Sequence, residues 1–231
     1  MTRQVVEERL QPKGPAGRPA AYRSIKLLGI AATGPRLEEG RQVPHAAILY
    51  RWKKNEIRLF EMHDHKKLRD EPVREGASYV WVEPAISEER LRLVVNRARL
   101  VYQRNQTDGV PYGFGYRTSC FDQQGGARLG SGEIGFTCST IVAAILEAEK
   151  LPILDPTSWP APDKTDIDAR RAYLKHLQTK DPEHAKVLEI DIESPRIAPE
   201  EVIAAAALHP PTVTFDSVQE GASVVRMRIG T

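Results

Sequence analysis

From Thr137 to Lys150 the chain reads TCSTIVAAILEAEK, in which Ile141, Val142, Ile145 and Leu146 recur at helical spacing and leave little polar surface. A helix this apolar needs another layer to cover it, and Pro152 and Pro156 bring it to an end. A glycine-rich stretch leads into it, so Cys138 sits where a loop enters a helix. Backbone N–H groups and the helix dipole at such a point favour a thiolate over a thiol.

The covering layer is legible upstream. HAAILYRW (His45 to Trp52), a polar turn at Lys53-Lys54-Asn55 and EIRLFEMH (Glu56 to His63) read as a β-hairpin. Alternation along the second run puts Ile57, Leu59, Glu61 and His63 on one face. SYVWVEP (Ser78 to Pro84) reads as a further strand stopped by proline, and SIKLLGIAA from Ser24 as a strand or buried segment. Ser87 with Glu88 and Glu89 caps a helix running to about Arg104, with Leu91, Val94, Val95, Ala98 and Val101 or Tyr102 at helical spacing. A long glycine-rich and aromatic loop spans Asp108 to Gly135. Beyond Pro156 the pattern predicts a polar helix from Asp166 to Thr179, a strand LEIDI (Leu188 to Ile192), a helix opening at Pro199, and two strands at Thr212 to Phe215 and Ser223 to Ile229.

The expected architecture is therefore α+β, an antiparallel sheet packed against the Cys138 helix. Residues 1–22, with QPKGPAGRPAA, read as a flexible N-terminal arm. Residues 23–155 read as the catalytic core and 156–231 as a C-terminal extension packed on it. The 33 Lys and Arg nearly cancel the 31 Asp and Glu, and no block of one charge marks a nucleic-acid binder. No stretch approaches the roughly 18 apolar residues that span a bilayer. No signal segment is visible, which predicts a cytoplasmic chain with Cys120 and Cys138 reduced.

A thiolate nucleophile needs a histidine within hydrogen-bond reach, itself oriented by a polar group. His45 follows Pro44 at the start of an apolar strand, at the rim of a sheet where a base is useful. On the next strand Glu61 and His63 share a face, and either could fix its tautomer. The blander alternatives are a buried Cys138 acting as a small apolar residue and a Glu61 that only pairs with a nearby lysine. His176, His184 and His209 lie in polar or helix-end contexts expected to be solvated. Cys120 has no helix opening behind it and Asp122 close by, which opposes ionisation. His63, Asp64 and His65 cluster, with His63 and His65 facing one way on a strand, but neither HExxH nor a nearby cysteine accompanies them. No metal and no cofactor is called for.

A histidine opening a strand (HAAILY), a second strand with a polar residue (LFEMH), an aromatic loop (PYGFGY) and a cysteine-serine pair opening a helix (TCSTIVAAIL) together resemble the circularly permuted papain-like cysteine hydrolases. These are the permuted relatives of the NlpC-type peptidases and of lecithin:retinol acyltransferase, in which the histidine precedes the cysteine as it does here. The resemblance implies Cys138 as nucleophile, His45 as base, Glu61 as the residue that orients it with His63 as the alternative, and Tyr112 as an aromatic position contacting substrate. It implies a peptide, amide or acyl-ester substrate. A lipid-directed acyltransferase or thioesterase is the alternative enzyme, and an inactive papain-like binding module the alternative of another class. The segment IKLLGIAATGPRLEEG lacks the Gly-Asp pair that the family usually carries ahead of the histidine strand.

Overall fold

The computed structural model describes residues 2–11, 21–38, 41–73, 79–116, 120–128 and 135–230. Five strands, β1 (Leu28–Glu38), β2 (Arg41–Lys53), β3 (Glu56–Asp64), β4 (Lys67–Pro72) and β5 (Tyr79–Val82), form one antiparallel sheet in the order β4-β3-β2-β1-β5. The long β1–β2 and β2–β3 pairings place β2, the strand that bears His45, in the middle of the sheet.

HAAILY is apolar at successive positions because both sides of β2 are covered. Ala46, Ile48 and Tyr50 join Leu28, Ile30, Phe60, Met62 and Val80 in the principal core. Ala47 and Leu49 join Ala31, Ile57, Leu59, Tyr79 and Trp81 on the opposite face, under Tyr22 and Ile25. The expected sharing of one face by Ile57 and Leu59 is thus met.

Seven α-helices are present among the described residues: α1 (Thr2–Arg9), α2 (Glu88–Arg104), α3 (Cys138–Ala148), α4 (Lys164–Lys180), α5 (Pro182–Glu189), α6 (Pro199–Leu208) and α7 (Phe215–Ile229). Ser87 caps α2 as expected, its hydroxyl accepting the Arg90 N–H. In α3 the residues Ile141, Val142, Ile145 and Leu146 are buried against the sheet, and each apolar side chain so covered contributes roughly 1.5–3 kcal/mol.

Three expectations need correction. The flexible arm over residues 1–22 is wrong for its first part. Thr2–Arg9 is helical, Val6 and Leu10 are fully buried, and Gln11 exchanges two backbone hydrogen bonds with Trp81 at 2.7 and 2.8 Å. The close approach rests on Gly221 in α7, where a Cβ would lie 2.7 Å from Val6 Cγ2. Residues 12–20 lie outside the described residues.

LEIDI is no strand. Asp181 caps α5 and Pro182 occupies its first position, a start signal that carries the helix through Leu188 before the chain turns. The two terminal strands are also wrong, since Phe215–Ile229 is a helix opened by Thr214 with Ser217 and closed by Gly230 at φ 79°. Its Val218, Ala222, Val225 and Ile229 fall on one buried face, so the β-branched run there serves helix packing. Of the strand predicted before it, a bridge between Val213 and Leu154 is what forms. After Pro156 the chain supplies part of the core itself. Every residue from Val202 to Ala207 in α6 has no solvent exposure and lies in the same core cluster as β2 and α3.

Candidate functional site

The segment that delivers Cys138 is tied at several points. Phe136 stacks on Phe121 with centroids 5.3 Å apart and bridges to Tyr112. Its N–H donates to Pro111 O at 3.0 Å and its carbonyl accepts from Gly113 N–H at 3.2 Å. The contact is so close that a Cβ on Gly135 would lie 1.6 Å from Pro111 O, so only glycine fits. Thr137 then caps α3: its Oγ1 accepts the Thr140 N–H at 3.1 Å while its own N–H donates to Thr140 Oγ1 at 2.8 Å. Cys138 follows as the first residue of the helix, partly buried and without a disulfide.

His45 comes from β2. The continuous β2–β3 pairing starts at Ile48↔Phe60, so at His45 and Ala46 the two strands no longer bond to each other, and the opening of α3 meets the sheet there. The His45 imidazole, the Ala46 backbone N–H and the Ser139 hydroxyl all interact with the Cys138 sulfur. Burial pushes the thiol up, but the charge and hydrogen bond of His45 and the two further donors outweigh it, leaving the thiol below its ordinary value.

Behind His45 stands a polar layer on β3 and β4. The His45 and His63 rings stack with centroids 6.1 Å apart. Glu61 is fully buried, with Oε1 3.7 Å from His63 Nδ1 and 3.5 Å from a guanidinium nitrogen of Arg69, its direct partner across β3 and β4. The fold thus brings Cys138, His45, His63 and Glu61 into one chain of neighbours, with Arg69 as a member the sequence did not single out.

Tyr112 packs in an aromatic group with Tyr173 at 4.4 Å and Phe114 at 5.8 Å. Its main chain is the part that connects to the site, through Phe136. Asp191, from the segment expected to be a strand, is buried and accepts the N–H groups of Phe114 at 2.8 Å and Gly115 at 2.7 Å, pinning this loop.

His184, expected to be solvated, is a correction: its Nε2 donates to Tyr112 O at 2.7 Å and its ring lies 4.5 Å from that of His65. His209 is a second, being buried after α6. His63 and His65 do not act together as strand alternation suggested, because β3 ends at Asp64. His63 meets Glu61, whereas His65 meets Asp181 at 3.2 Å and the Tyr112 N–H at 3.2 Å. Among the described residues no group of three or more metal-ligating side chains is assembled. Nor is any helix among them long and apolar enough to cross a membrane.

Compared with protein-family models, with curated proteins and with solved structures, the chain has no significant match.

Proposed function

We propose that the protein is a thiol hydrolase of the permuted papain-like kind, cleaving an amide or ester bond through an acyl-enzyme at Cys138 with His45 as base. The observation that carries this reading is a thiol at the first position of α3 held below its ordinary ionisation range by an adjacent imidazole. A merely structural cysteine has no need of that arrangement.

In the proposed cycle His45 takes the Cys138 proton and the sulfur attacks the substrate carbonyl carbon. The oxyanion so formed is held by backbone N–H groups at the start of α3. Imidazolium His45 then protonates the leaving amine or alkoxide as the carbon–heteroatom bond breaks, which leaves a thioester. Water, deprotonated by His45, attacks the thioester, and the acid product leaves as the thiol is restored. A second alcohol or amine in place of water would make the same site a transferase. His63, whose ring stacks on that of His45, and Glu61, which lies beside His63 with Arg69, are the residues placed to position the base.

Incubation with an acyl-donating ester followed by intact-mass measurement tests the proposal. A thioester adduct on the wild type that is absent from a folded Cys138→Ala variant is expected, and an adduct or turnover that survives the substitution would sink the reading.

A further inference from the structure

Tyr112 is held by its main chain from two sides. On one side are Gly135 and Phe136, which lead directly to Thr137 and Cys138. On the other are two histidines from elements far apart in sequence. His65, in the turn between β3 and β4, accepts the Tyr112 N–H at its Nδ1. His184, in the first turn of α5, donates from Nε2 to the Tyr112 carbonyl.

The two contacts differ in how they respond to a proton. His65 Nδ1 must carry a lone pair to accept an N–H, and its other nitrogen is directed at Asp181 Oδ2, so the ring is the neutral tautomer protonated at Nε2. A proton added at Nδ1 turns an acceptor into a donor facing a donor. His184 donates whether neutral or charged, so its contact survives. We propose that His65 is an acid-release catch on the Tyr112 loop: protonation at Nδ1 frees the Tyr112 amide and slackens the segment that seats Cys138.

The charged surroundings set where this happens. Asp181 faces His65 from the start of α5 and favours its protonation, while His184 on the same helix and Lys66 on the same turn oppose it. Asp64 accepts the His65 backbone N–H and is itself faced by Lys67, by Lys180 of α4 and by the Tyr173 hydroxyl. Burial is the strongest influence and moves the His65 imidazole below its ordinary value, so release belongs to mildly acidic conditions.

The coupling to Cys138 rests on the proposed role of that residue, but the catch does not, and the experiment separates them. Amide hydrogen exchange at Tyr112, corrected for the intrinsic pH dependence, is followed from pH 7.5 to pH 5 in the wild type, His65→Phe and His65→Asn, with the amides of β2 as a control for global opening. The expected result is a loss of Tyr112 protection of about tenfold in the wild type on acidification. Protection should be low at every pH in His65→Phe. It should be independent of pH in His65→Asn, whose amide oxygen can accept near the Nδ1 position. Protection in the wild type that stays constant, or that falls only together with β2, overturns the catch.

In parallel, iodoacetamide labelling of Cys138 is compared between wild type and His65→Asn. The ratio of rates should be near one at pH 7.5, with the wild type several-fold slower at pH 5 as Cys138 loses its seat beside His45. A ratio that stays at one while the Tyr112 amide is released overturns the link to Cys138. Uniformly slow labelling at all pH values instead refutes the nucleophile reading, with the exchange data still deciding the catch.

Discussion

The imidazole of His45 lies against the sulfur of Cys138, joining the central strand β2 to the first turn of α3. The contact couples two titrations, since a positive charge on the ring favours loss of the thiol proton and the thiolate in turn favours charge on the ring. Here the Ala46 amide and the Ser139 hydroxyl also face the sulfur, and together they favour the thiolate.

Alkylation of Cys138 should accordingly be half-maximal below the pH of about 8.5 at which a free cysteine ionises. His45→Ala removes the largest influence opposing burial, and its profile should move upward beyond that value. Mass-spectrometric location of iodoacetamide adducts from pH 5 to pH 10 checks both. Superimposable profiles for the two proteins would show that the contact does not govern the thiol.

Gly135→Ala should be among the most damaging single substitutions in the chain. The new methyl group would overlap Pro111 O, so the bridge between Tyr112 and Phe136 has to open. The expected cost is about 3 kcal/mol or more, read from urea unfolding. Cys138 labelling should lose its low-pH component in whatever folded fraction remains.

Asp191→Ala removes a buried carboxylate that accepts two backbone N–H groups of the aromatic loop and the Ser194 hydroxyl. Hydrogen bonds to a charged acceptor contribute about 1.5–3 kcal/mol each, and the two amides would be left unsatisfied in a buried place. A loss near 3 kcal/mol is expected. Asp191→Asn, which keeps one accepting oxygen, should lose less, and equal losses for the two variants would argue against this account.

Stability should also depend on pH through His65. Burial lowers its folded-state pKa, with Asp181 opposing, so the unfolded chain binds the proton more readily than the folded one. The unfolded state then carries more protons between the two values, and stability rises with pH in that window. The contribution is intact above the unfolded value of about 6.5 and is lost as pH falls through the folded value. His209, lowered in the same direction by burial and Arg90, adds to the trend. Urea midpoints at pH 7.5 and pH 5 should show a smaller loss on acidification in His65→Asn than in the wild type.

What local pattern could determine, the sequence determined. The apolar spacing of TCSTIVAAIL, the Ser87 cap with its two glutamates, and the paired runs HAAILYRW and EIRLFEMH each specify an element over a few turns or a few residues. α3, α2 and the β2–β3 hairpin follow from them. His45, expected to open a strand at the sheet rim, instead lies inside β2, which begins at Arg41 and occupies the middle of the sheet, so its meeting with Cys138 was left to packing.

Elsewhere the local signal was ambiguous or outweighed. SVVRMRI is as good a strand as a helix until the Val6 side chain fills the space over Gly221 and the Ala204 methyl closes on the same glycine. LEIDI has the alternation of a strand, but the Asp181-Pro182 start in front of it carries a helix into its first residues.

Beyond Glu61 and His63, the contacts that surround the site had no signature. His65 reaches Asp181 and Tyr112 reaches His184 across separations of 116 and 72 residues, and Glu61 finds Arg69 through the register of β3 with β4. Hydrogen bonds and ion pairs of this kind are short-ranged and depend on direction, so they exist only where packing has already fixed both partners. Tertiary structure alone decided them.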